Sequence, residues 1–341
     1  MQKDQIMKKI LIALLALSSA ALAMDPDRPI VGDSTQQDSV LGYGFYEIPN
    51  ITLRKPRGED VGLAIPNFTT DSSLFAIFDG HGGKDIADYA AQHLPGYLRE
   101  ALASTPDTKE ALKKAVLMTN ESLKTSELKD KAQSMGTTAI IALIKNNGPH
   151  KDLFVSNTGN SRAILSSNGK AIPLSEDQTP ERADEADRIR KAGGSLVKLT
   201  QQADSNWVPL PEEKWHLSTT PLRVANDPET TTGSLETSRA IGDFQFTNAG
   251  IIAEPEILHR RLEPTDEFIV LTSDGLFNSS VGEPLNNQSA INYFLQALKY
   301  HQEHKTKNAA TQSVENVLRY VKNTLIPQDD LSVYLIPLKF L

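Results

Sequence analysis

The chain has 341 residues, 39% of them hydrophobic, and a formal net charge of −8. This length and apolar content suffice for a large buried core and fit one large domain or two. The charges form no long run of one sign, so we do not expect nucleic acid as a partner. The chain has no cysteine, which excludes disulfides, thiolate zinc sites and a cysteine nucleophile.

The first residues have the pattern of an export signal. A Lys-Lys pair at 8–9 precedes an apolar stretch over 10–17, and Ala21-Leu22-Ala23 is the small-x-small pattern that signal peptidases accept. The apolar stretch is shorter than the roughly 20 residues of a membrane-spanning helix. We therefore predict a signal peptide over 1–23. The product would be exported, periplasmic or secreted, with no stable membrane insertion after cleavage.

The next segments predict strands and then a pair of helices. Strand patterns cover 43–48, 61–65 and 74–78. Helical composition and spacing follow over about 84–103 and about 107–131, with Thr105-Pro106 as a break between them.

The rest of the chain, from residue 137 onward, again has strand patterns before helical ones. Strand patterns at 137–144, 153–156 and 162–166 predict an antiparallel meander, and a helix over 180–191 ends at Gly193-Gly194. Residues 195–237 have no steady period and predict a long surface insertion. A strand at 268–272, helices at about 287–303 and 311–325, and a closing strand at 331–338 follow. This order indicates an α+β fold, and without a dividing linker we predict one domain over 24–341.

Four acidic signatures each lie beside an apolar run typical of a strand: Glu59-Asp60, Asp79-Gly80, Ser273-Asp274-Gly275 and Asp329-Asp330. Carboxylate oxygens suit hard divalent cations such as Mg²⁺ and Mn²⁺. An isolated Asp-Gly pair is more commonly a turn. Turn formation gives no reason, however, for four acidic sites to fall beside strands, so the joint pattern predicts a metal site.

Eight short motifs carry a resemblance to a known family. They are Arg-Gly-Glu-Asp at 57–60, Phe-Asp-Gly-His-Gly-Gly at 78–83, Gly-Thr-Thr-Ala at 136–139, Asn-Thr-Gly-Asn-Ser-Arg-Ala at 157–163, Ala-Gly-Gly at 192–194, Ser-Arg-Ala-Ile-Gly-Asp at 238–243, Thr-Ser-Asp-Gly-Leu-Phe at 272–277 and Asp-Asp-Leu-Ser-Val at 329–333. The motifs occur in the same order as in a known family, and with them the chain resembles the type 2C, metal-dependent serine/threonine protein phosphatases of the PPM family. The resemblance implies a central antiparallel β-sandwich flanked by pairs of helices, in four αββα layers, with two metals at one end.

The resemblance also implies a reaction and its ligands. Phosphoserine or phosphothreonine in a protein substrate would be hydrolysed by a water that bridges two Mn²⁺ or Mg²⁺ ions. Asp79 would bridge the ions and the Gly80 carbonyl would bind one of them, while Asp274 and Asp329 would bind the other. Glu59 and Asp60 would hold metal-bound waters, either as ligands or from just outside the ligand shell. We expect the protein to act as a monomer.

Two further site residues come from the same resemblance. His81 would be the general acid that protonates the leaving seryl or threonyl oxygen. An arginine before the Glu-Asp pair would bind the substrate phosphate, and Arg54, Lys55 and Arg57 all lie there. Lys55 stands where the usual arginine would fall, so the choice among the three is open, with Arg54 preferred.

Three positions depart from the family pattern. Asn160 and Asn278 stand where the family has aspartates that serve a weaker third metal, which predicts that a third metal binds weakly or not at all. Gln178 stands where histidine is common, and we interpret it as a surface variation without mechanistic weight. The two asparagines also keep open an alternative function, a pseudophosphatase that binds phosphoprotein with weak or no turnover. A two-metal phosphodiesterase or nuclease is the third possibility.

The insertion at 195–237 is longer than the family segment that forms a flap beside the site. It contains both tryptophans, Trp207 and Trp215. If these side chains are exposed, they would contact a protein partner. The alternative, which we favour, is that they pack the insertion onto its own domain.

Overall fold

The structure is a computed structural model that describes residues 42–49, 58–201, 207–229, 233–278, 284–325, 327 and 329–338. The predicted signal peptide, Arg54, Lys55 and Arg57 lie outside these residues. The chain divides into two compact units. Unit 1 is formed from Met1–Gly58, Ala163–Pro173 and Glu263–Leu341, and unit 2 from Glu59–Arg162 and Leu174–Leu262. None of the helices in the described residues has the length and apolar character needed to cross a membrane.

The bounds of the elements are as follows. The strands are β1 (Gly44–Ile48), β2 (Val61–Thr69), β3 (Ser72–Phe78), β4 (Gly80–His81), β5 (Gly136–Thr137), β6 (Ala139–Asn147), β7 (His150–Thr158), β8 (Arg162–Ser167), β9 (Lys170–Pro173), β10 (Ser195–Gln201), β11 (Trp207–Leu210), β12 (Arg223–Ala225), β13 (Ser234–Leu235), β14 (Ile241–Gly242), β15 (Glu256–Arg261), β16 (Asp266–Thr272) and β17 (Leu331–Pro337). The α-helices are α1 (Asp85–Ser104), α2 (Thr108–Leu123), α3 (Ala183–Ala192), α4 (Asn287–Glu303) and α5 (Ala309–Leu325).

Unit 1 consists of a five-stranded sheet and the helix pair α4 and α5. The strand order is β1-β17-β16-β8-β9, and β17 pairs antiparallel with both of its neighbours. Val270 and Val333 from adjacent strands share one buried cluster with Phe294 of α4 and Val314 of α5. The two helices therefore pack on one face of this sheet.

Unit 2 contains a second five-stranded sheet, in the order β15-β7-β6-β3-β2, with every pairing antiparallel. Leu74 and Ala76, alternate residues of β3, share a buried cluster with Leu94 of α1 and Leu112 of α2. This alternation is what the two-residue period of a strand requires of one face. The predicted α+β class, with antiparallel sheets and pairs of helices, is confirmed.

Two local predictions were wrong. The predicted meander ends at β7, because β7 pairs with β6 and β15, whereas β8 pairs with β9 in the sheet of unit 1. The second helix ends at Leu123 instead of continuing to about residue 131. There Ser122, Thr125 and Ser126 turn their hydroxyls back to the carbonyls of Thr119, Ser122 and Leu123. Such bonds compete with the helical pattern and favour an end.

The segment predicted as an irregular insertion contains its own small sheet. Its strand order is β11-β10-β12-β13, with antiparallel pairings throughout. Val197, Leu199 and Ala225 form a small buried cluster within it. Short strands interrupted by Pro, Thr, Asp and Glu gave too little periodicity for the sequence to reveal this sheet.

Candidate active site

In unit 2, two of the four acidic signatures lie together at one end of the β2–β3 hairpin. The first residue of β2 pairs with the last residue of β3, so Glu59 and Asp60 run beside Asp79 and Gly80. A Cβ at residue 80 would lie 2.6 Å from the Glu59 carbonyl oxygen, a distance that only glycine permits. The hairpin therefore fixes the backbone of both signatures in close contact.

The donor groups at this end of the hairpin fit a hard divalent cation. Asp60 is 1% exposed, and Glu59 and Asp79 are partly exposed. The Asp79 carbonyl accepts hydrogen bonds from the Thr138 N–H at 2.9 Å and from Thr137 Oγ1 at 3.0 Å, which holds the residue in place. Carboxylates and a backbone carbonyl form an all-oxygen donor set, the type that Mg²⁺ and Mn²⁺ prefer.

In unit 1, the other two signatures lie together at the ends of β16 and β17. A Cβ at Gly275 would lie 2.1 Å from the Asp330 carbonyl oxygen, so the Asp274-Gly275 turn rests directly on the Asp329-Asp330 segment. The Asp330 N–H donates to Asp329 Oδ1 at 2.8 Å, and Ser273 Oγ donates to the Asp330 carbonyl at 3.3 Å. This second pair of acidic segments is thus also held by neighbouring strands.

His81, the predicted general acid, lies on the short strand β4 directly after Gly80. Its Nε2 lies 2.6 Å from Oδ2 of Asp243, a carboxylate that is fully buried. Sequence reasoning did not assign a role to Asp243, although it is the last residue of the Ser-Arg-Ala-Ile-Gly-Asp motif that supported the resemblance. The signal was therefore present, but nothing local connected it to a histidine 162 residues away.

The residues that depart from the family pattern differ in their surroundings. Asn160 is partly exposed and Asn278 is exposed. Gln178, predicted to be a surface variation, is instead 0% exposed. Its side chain accepts from the Gly159 N–H at 2.6 Å and donates to the Asn157 carbonyl at 3.2 Å. The prediction was wrong because a polar residue whose donors and acceptors are satisfied can be buried.

A separate acidic cluster in unit 2 serves a different purpose. Among the described residues, Asp184, Glu185 and Glu256 are the one group of three or more potential metal-binding side chains whose ligand atoms lie within 4.8 Å of one another. Arginines occupy this group: Arg182 Nη2 lies 2.7 Å from Asp184 and 2.5 Å from Glu256, and Arg239 Nη2 lies 2.7 Å from Glu185. We interpret it as an ion-pair network and assign no metal to it.

Comparison with known proteins decides the family. The sequence profile named Protein phosphatase 2C matches residues 49–322. The chain belongs to the protein phosphatase 2C family. The match includes three of the four acidic signatures, and the fourth, Asp329-Asp330, follows its end.

Curated relatives of this 2C-family chain include animal and plant proteins. It is 30% identical over 272 residues to "Protein phosphatase 1K, mitochondrial" of Xenopus laevis, covering 79% of this chain and 62% of the relative. It is 31% identical over 263 residues to "Probable protein phosphatase 2C 55" of Oryza sativa subsp. japonica, covering 76% and 59%. The chain thus spans less than two thirds of the length of these relatives.

Solved structures agree on the fold of this 2C-family chain. A serine-threonine phosphatase 2C from Toxoplasma gondii superposes with a TM-score of 0.66 at 18% identity, covering 86% of this chain and 94% of that one. A sex determining protein of C. elegans gives a TM-score of 0.69 at 22% identity, covering 89% and 66%. At these identities the likeness shows the fold.

Proposed function

We propose that this protein is a metal-dependent phosphatase of phosphoserine and phosphothreonine in proteins. The observation that carries the proposal is that the family's acidic motifs are intact and lie at the ends of paired strands, Glu59, Asp60, Asp79 and Gly80 in unit 2 and Asp274 and Asp329 in unit 1. Membership of the 2C family supports the same activity.

The proposed ligands divide into two sets. Asp79 and the Gly80 carbonyl belong to the first set, and Asp274 and Asp329 to the second. Glu59 and Asp60 would hold waters of the metal ions. Mn²⁺ or Mg²⁺ ions held by these ligands would supply an activated water at neutral pH and would offset negative charge on the phosphoryl oxygens.

The proposed reaction exchanges one P–O bond for another. A water oxygen forms a bond to phosphorus while the bond to the seryl or threonyl oxygen breaks, and the water releases one proton to the solvent, from which His81 later regains the proton that it donates. The leaving oxygen would otherwise depart as a high-energy alkoxide. His81 donates a proton to it, which yields the free hydroxyl side chain and inorganic phosphate. A cationic side chain among Arg54, Lys55 and Arg57 would orient the phosphate of the substrate.

The alternatives lack support from a specific observation. A pseudophosphatase would have lost ligands, but every primary carboxylate is present and only Asn160 and Asn278 depart from the pattern. A nuclease would use similar ligands but needs a basic surface for its substrate, which the charge distribution does not indicate.

Phosphate release from a phosphothreonine peptide, measured with and without Mn²⁺, tests the proposal. We expect Mn²⁺-dependent release by the wild type and loss of at least about 100-fold in Asp79→Asn and Asp274→Asn. Asp71→Asn is the matched control, because Asp71 is exposed at the other end of the same hairpin. Binding of the peptide without release would instead support the pseudophosphatase, and faster hydrolysis of a phosphodiester would support the third class.

We also propose that the protein is exported, on the strength of the N-terminal sequence alone. When the full chain is made in a bacterium, we expect the intact mass of the exported product to lack residues 1–23. An Ala23→Arg variant should remain unprocessed, because signal peptidase requires a small residue at that position. A full-length wild-type chain found only in the cytoplasm would contradict export.

A further inference from the structure

A small three-stranded sheet in unit 2 joins three motifs that are far apart in the sequence. Its strand order is β14-β5-β4. Gly136 of β5 pairs with His81 on one side and with Gly242 on the other. The Asp243 N–H extends the pattern by donating to the Met135 carbonyl at 3.0 Å. The sheet therefore brings Asp243 across Gly136 to face His81.

The two side chains meet in a short contact. His81 Nε2 lies 2.6 Å from Asp243 Oδ2, and the histidine side chain is 28% exposed whereas the aspartate side chain is 0% exposed. The second oxygen, Asp243 Oδ1, is buried without a hydrogen bond to any of the described residues. A carboxylate buried away from water loses its hydration, and a charge-assisted hydrogen bond is the strongest compensation for that loss. The contact with the His81 imidazole is therefore the principal one that the Asp243 side chain makes.

Gly136 leaves the space in which this contact forms. A Cβ at residue 136 would lie 2.0 Å from Asp243 Oδ2 and 2.7 Å from His81 Nε2. Both distances are shorter than any real Cβ contact, so a side chain at residue 136 would displace the pair. Gly136, the glycine of the Gly-Thr-Thr-Ala motif, is therefore needed for two reasons: it pairs with both neighbouring strands, and its missing side chain leaves room for the contact between His81 and Asp243.

The backbone around Asp243 is held in an uncommon conformation. Asp243 has φ 51° and ψ 38°, in the left-handed region that few residues other than glycine adopt. The N–H of the preceding Gly242, with φ 90°, donates to Asn120 Oδ1 of α2 at 2.9 Å. An uncommon backbone fixed by neighbouring elements is a frequent feature of functional sites.

We propose that Asp243 is the positioning residue for His81, holding the imidazole through Nε2 in the orientation from which it protonates the leaving oxygen. A carboxylate accepts but does not donate, so the bond also fixes a proton on Nε2. Proton delivery to the leaving oxygen then falls to Nδ1. The inference rests on the proposed phosphatase activity for its chemistry, and on the contact within unit 2 for its geometry.

The first test compares two substrates with different leaving groups. A phosphothreonine peptide releases an alkoxide that needs a proton, whereas p-nitrophenyl phosphate releases a stable anion that does not. On the peptide, with Mn²⁺, we expect kcat to fall about 100-fold or more in His81→Gln. In Asp243→Asn and Asp243→Ala it should fall roughly 10–100-fold. On p-nitrophenyl phosphate all three variants should lose less than about threefold, and KM should change little on either substrate.

The double variant and a matched control sharpen this comparison. His81→Gln with Asp243→Ala should be no slower on the peptide than His81→Gln alone, because a positioning residue has no effect once its partner is gone. Asp152→Asn is the control, since buried Asp152 also bonds a histidine, His259, at 3.0 Å in the same unit. It should keep the wild-type rates on both substrates. Equal losses on both substrates in the Asp243 variants, or multiplicative losses in the double variant, would overturn the inference.

A readout without turnover separates this inference from the proposed function. Long-range ¹H–¹⁵N spectra of the full chain without metal, with the His81 ring assigned through His81→Gln, should show a proton on Nε2 in a strong hydrogen bond. That signal should be lost in Asp243→Ala. An identical ring spectrum in wild type and Asp243→Ala would overturn the positioning role even in an active enzyme. A ring spectrum that Asp243→Ala alters, together with no release of phosphate from either substrate by the wild type, would sustain the contact and reject the phosphatase function.

Discussion

The Arg239 guanidinium donates two hydrogen bonds to the Glu185 carboxylate, from Nη2 to Oε1 at 2.7 Å and from Nε to Oε2 at 3.1 Å. Glu185 is 1% exposed and also accepts from Arg188 Nη2 and from Ser238 Oγ, each at 2.6 Å. Burial opposes the charge on Glu185, but the hydrogen bonds from Arg239, Arg188 and Ser238 outweigh it and lower its pKa to about 2. The pair thus links the Ser-Arg-Ala motif to helix α3.

The ion pair between Glu185 and Arg239 predicts that the free energy of unfolding depends on pH in the acidic range. The pKa of Glu185 falls from an ordinary 4.5 to about 2 on folding, so the folded state binds fewer protons between these values. The stabilisation is complete above about pH 4.5 and is lost as the pH falls toward 2, with a size of about 3 kcal/mol. We expect urea unfolding to show a steep loss of unfolding free energy across this window in the wild type and a shallower loss in Glu185→Gln.

Glu100→Gln is the control for removing one carboxylate, because Glu100 is exposed on α1. Its unfolding free energy should follow the wild type across the same pH range. The same slope in Glu185→Gln and wild type would show that the network does not stabilise the fold through this charge.

A second prediction concerns Gln178, whose buried amide bonds the Gly159 N–H and the Asn157 carbonyl. Gln178→Ala leaves both backbone groups without these partners, at a cost of about 1–3 kcal/mol for each group that stays unsatisfied. Urea unfolding at neutral pH measures this loss. Gln92→Ala, at an exposed position of α1, should change the unfolding free energy by less than about 0.5 kcal/mol. Equal, small effects of the two changes would show that water replaces the lost bonds.

The sequence predicted most elements because their signals are local. The apolar run that forms β3 and the acidic turn after it are adjacent residues, so the position of Asp79 at a strand end followed directly. Pairing between distant strands leaves no such signal, and β8 was therefore assigned to the wrong sheet. The partner of His81 and the burial of Gln178 were missed for the same reason, since both depend on contacts between residues that tertiary structure alone brings together.

A third prediction concerns the number of metal ions. Asparagine keeps an oxygen ligand but lacks the charge of aspartate, so Asn160 and Asn278 should leave a third Mn²⁺ weakly bound or absent. Calorimetric titration of the wild type should show two equivalents. The double variant Asn160→Asp with Asn278→Asp should bind a third. Asn323→Asp, at an exposed position of α5, should not. A third equivalent bound by the wild type with the affinity of the first two would contradict the prediction.

The last prediction separates the two tryptophans of the insertion. Trp215 donates from Nε1 to the Leu210 carbonyl at 2.8 Å, whereas Trp207 is 45% exposed. Trp215→Ala should lower the unfolding free energy by about 1 kcal/mol or more through its lost hydrogen bond and packing. Trp207→Ala should change the unfolding free energy by less than about 0.5 kcal/mol.

Because exposed aromatic side chains serve as anchors in protein contacts, Trp207→Ala should lower kcat/KM on a phosphorylated protein about fivefold, equivalent to about 1 kcal/mol, and should leave kcat/KM on p-nitrophenyl phosphate unchanged. Trp207→Phe should retain most of the wild-type rate. If Trp207→Ala instead destabilises the fold and leaves both substrates unaffected, this tryptophan packs the insertion and contacts no substrate.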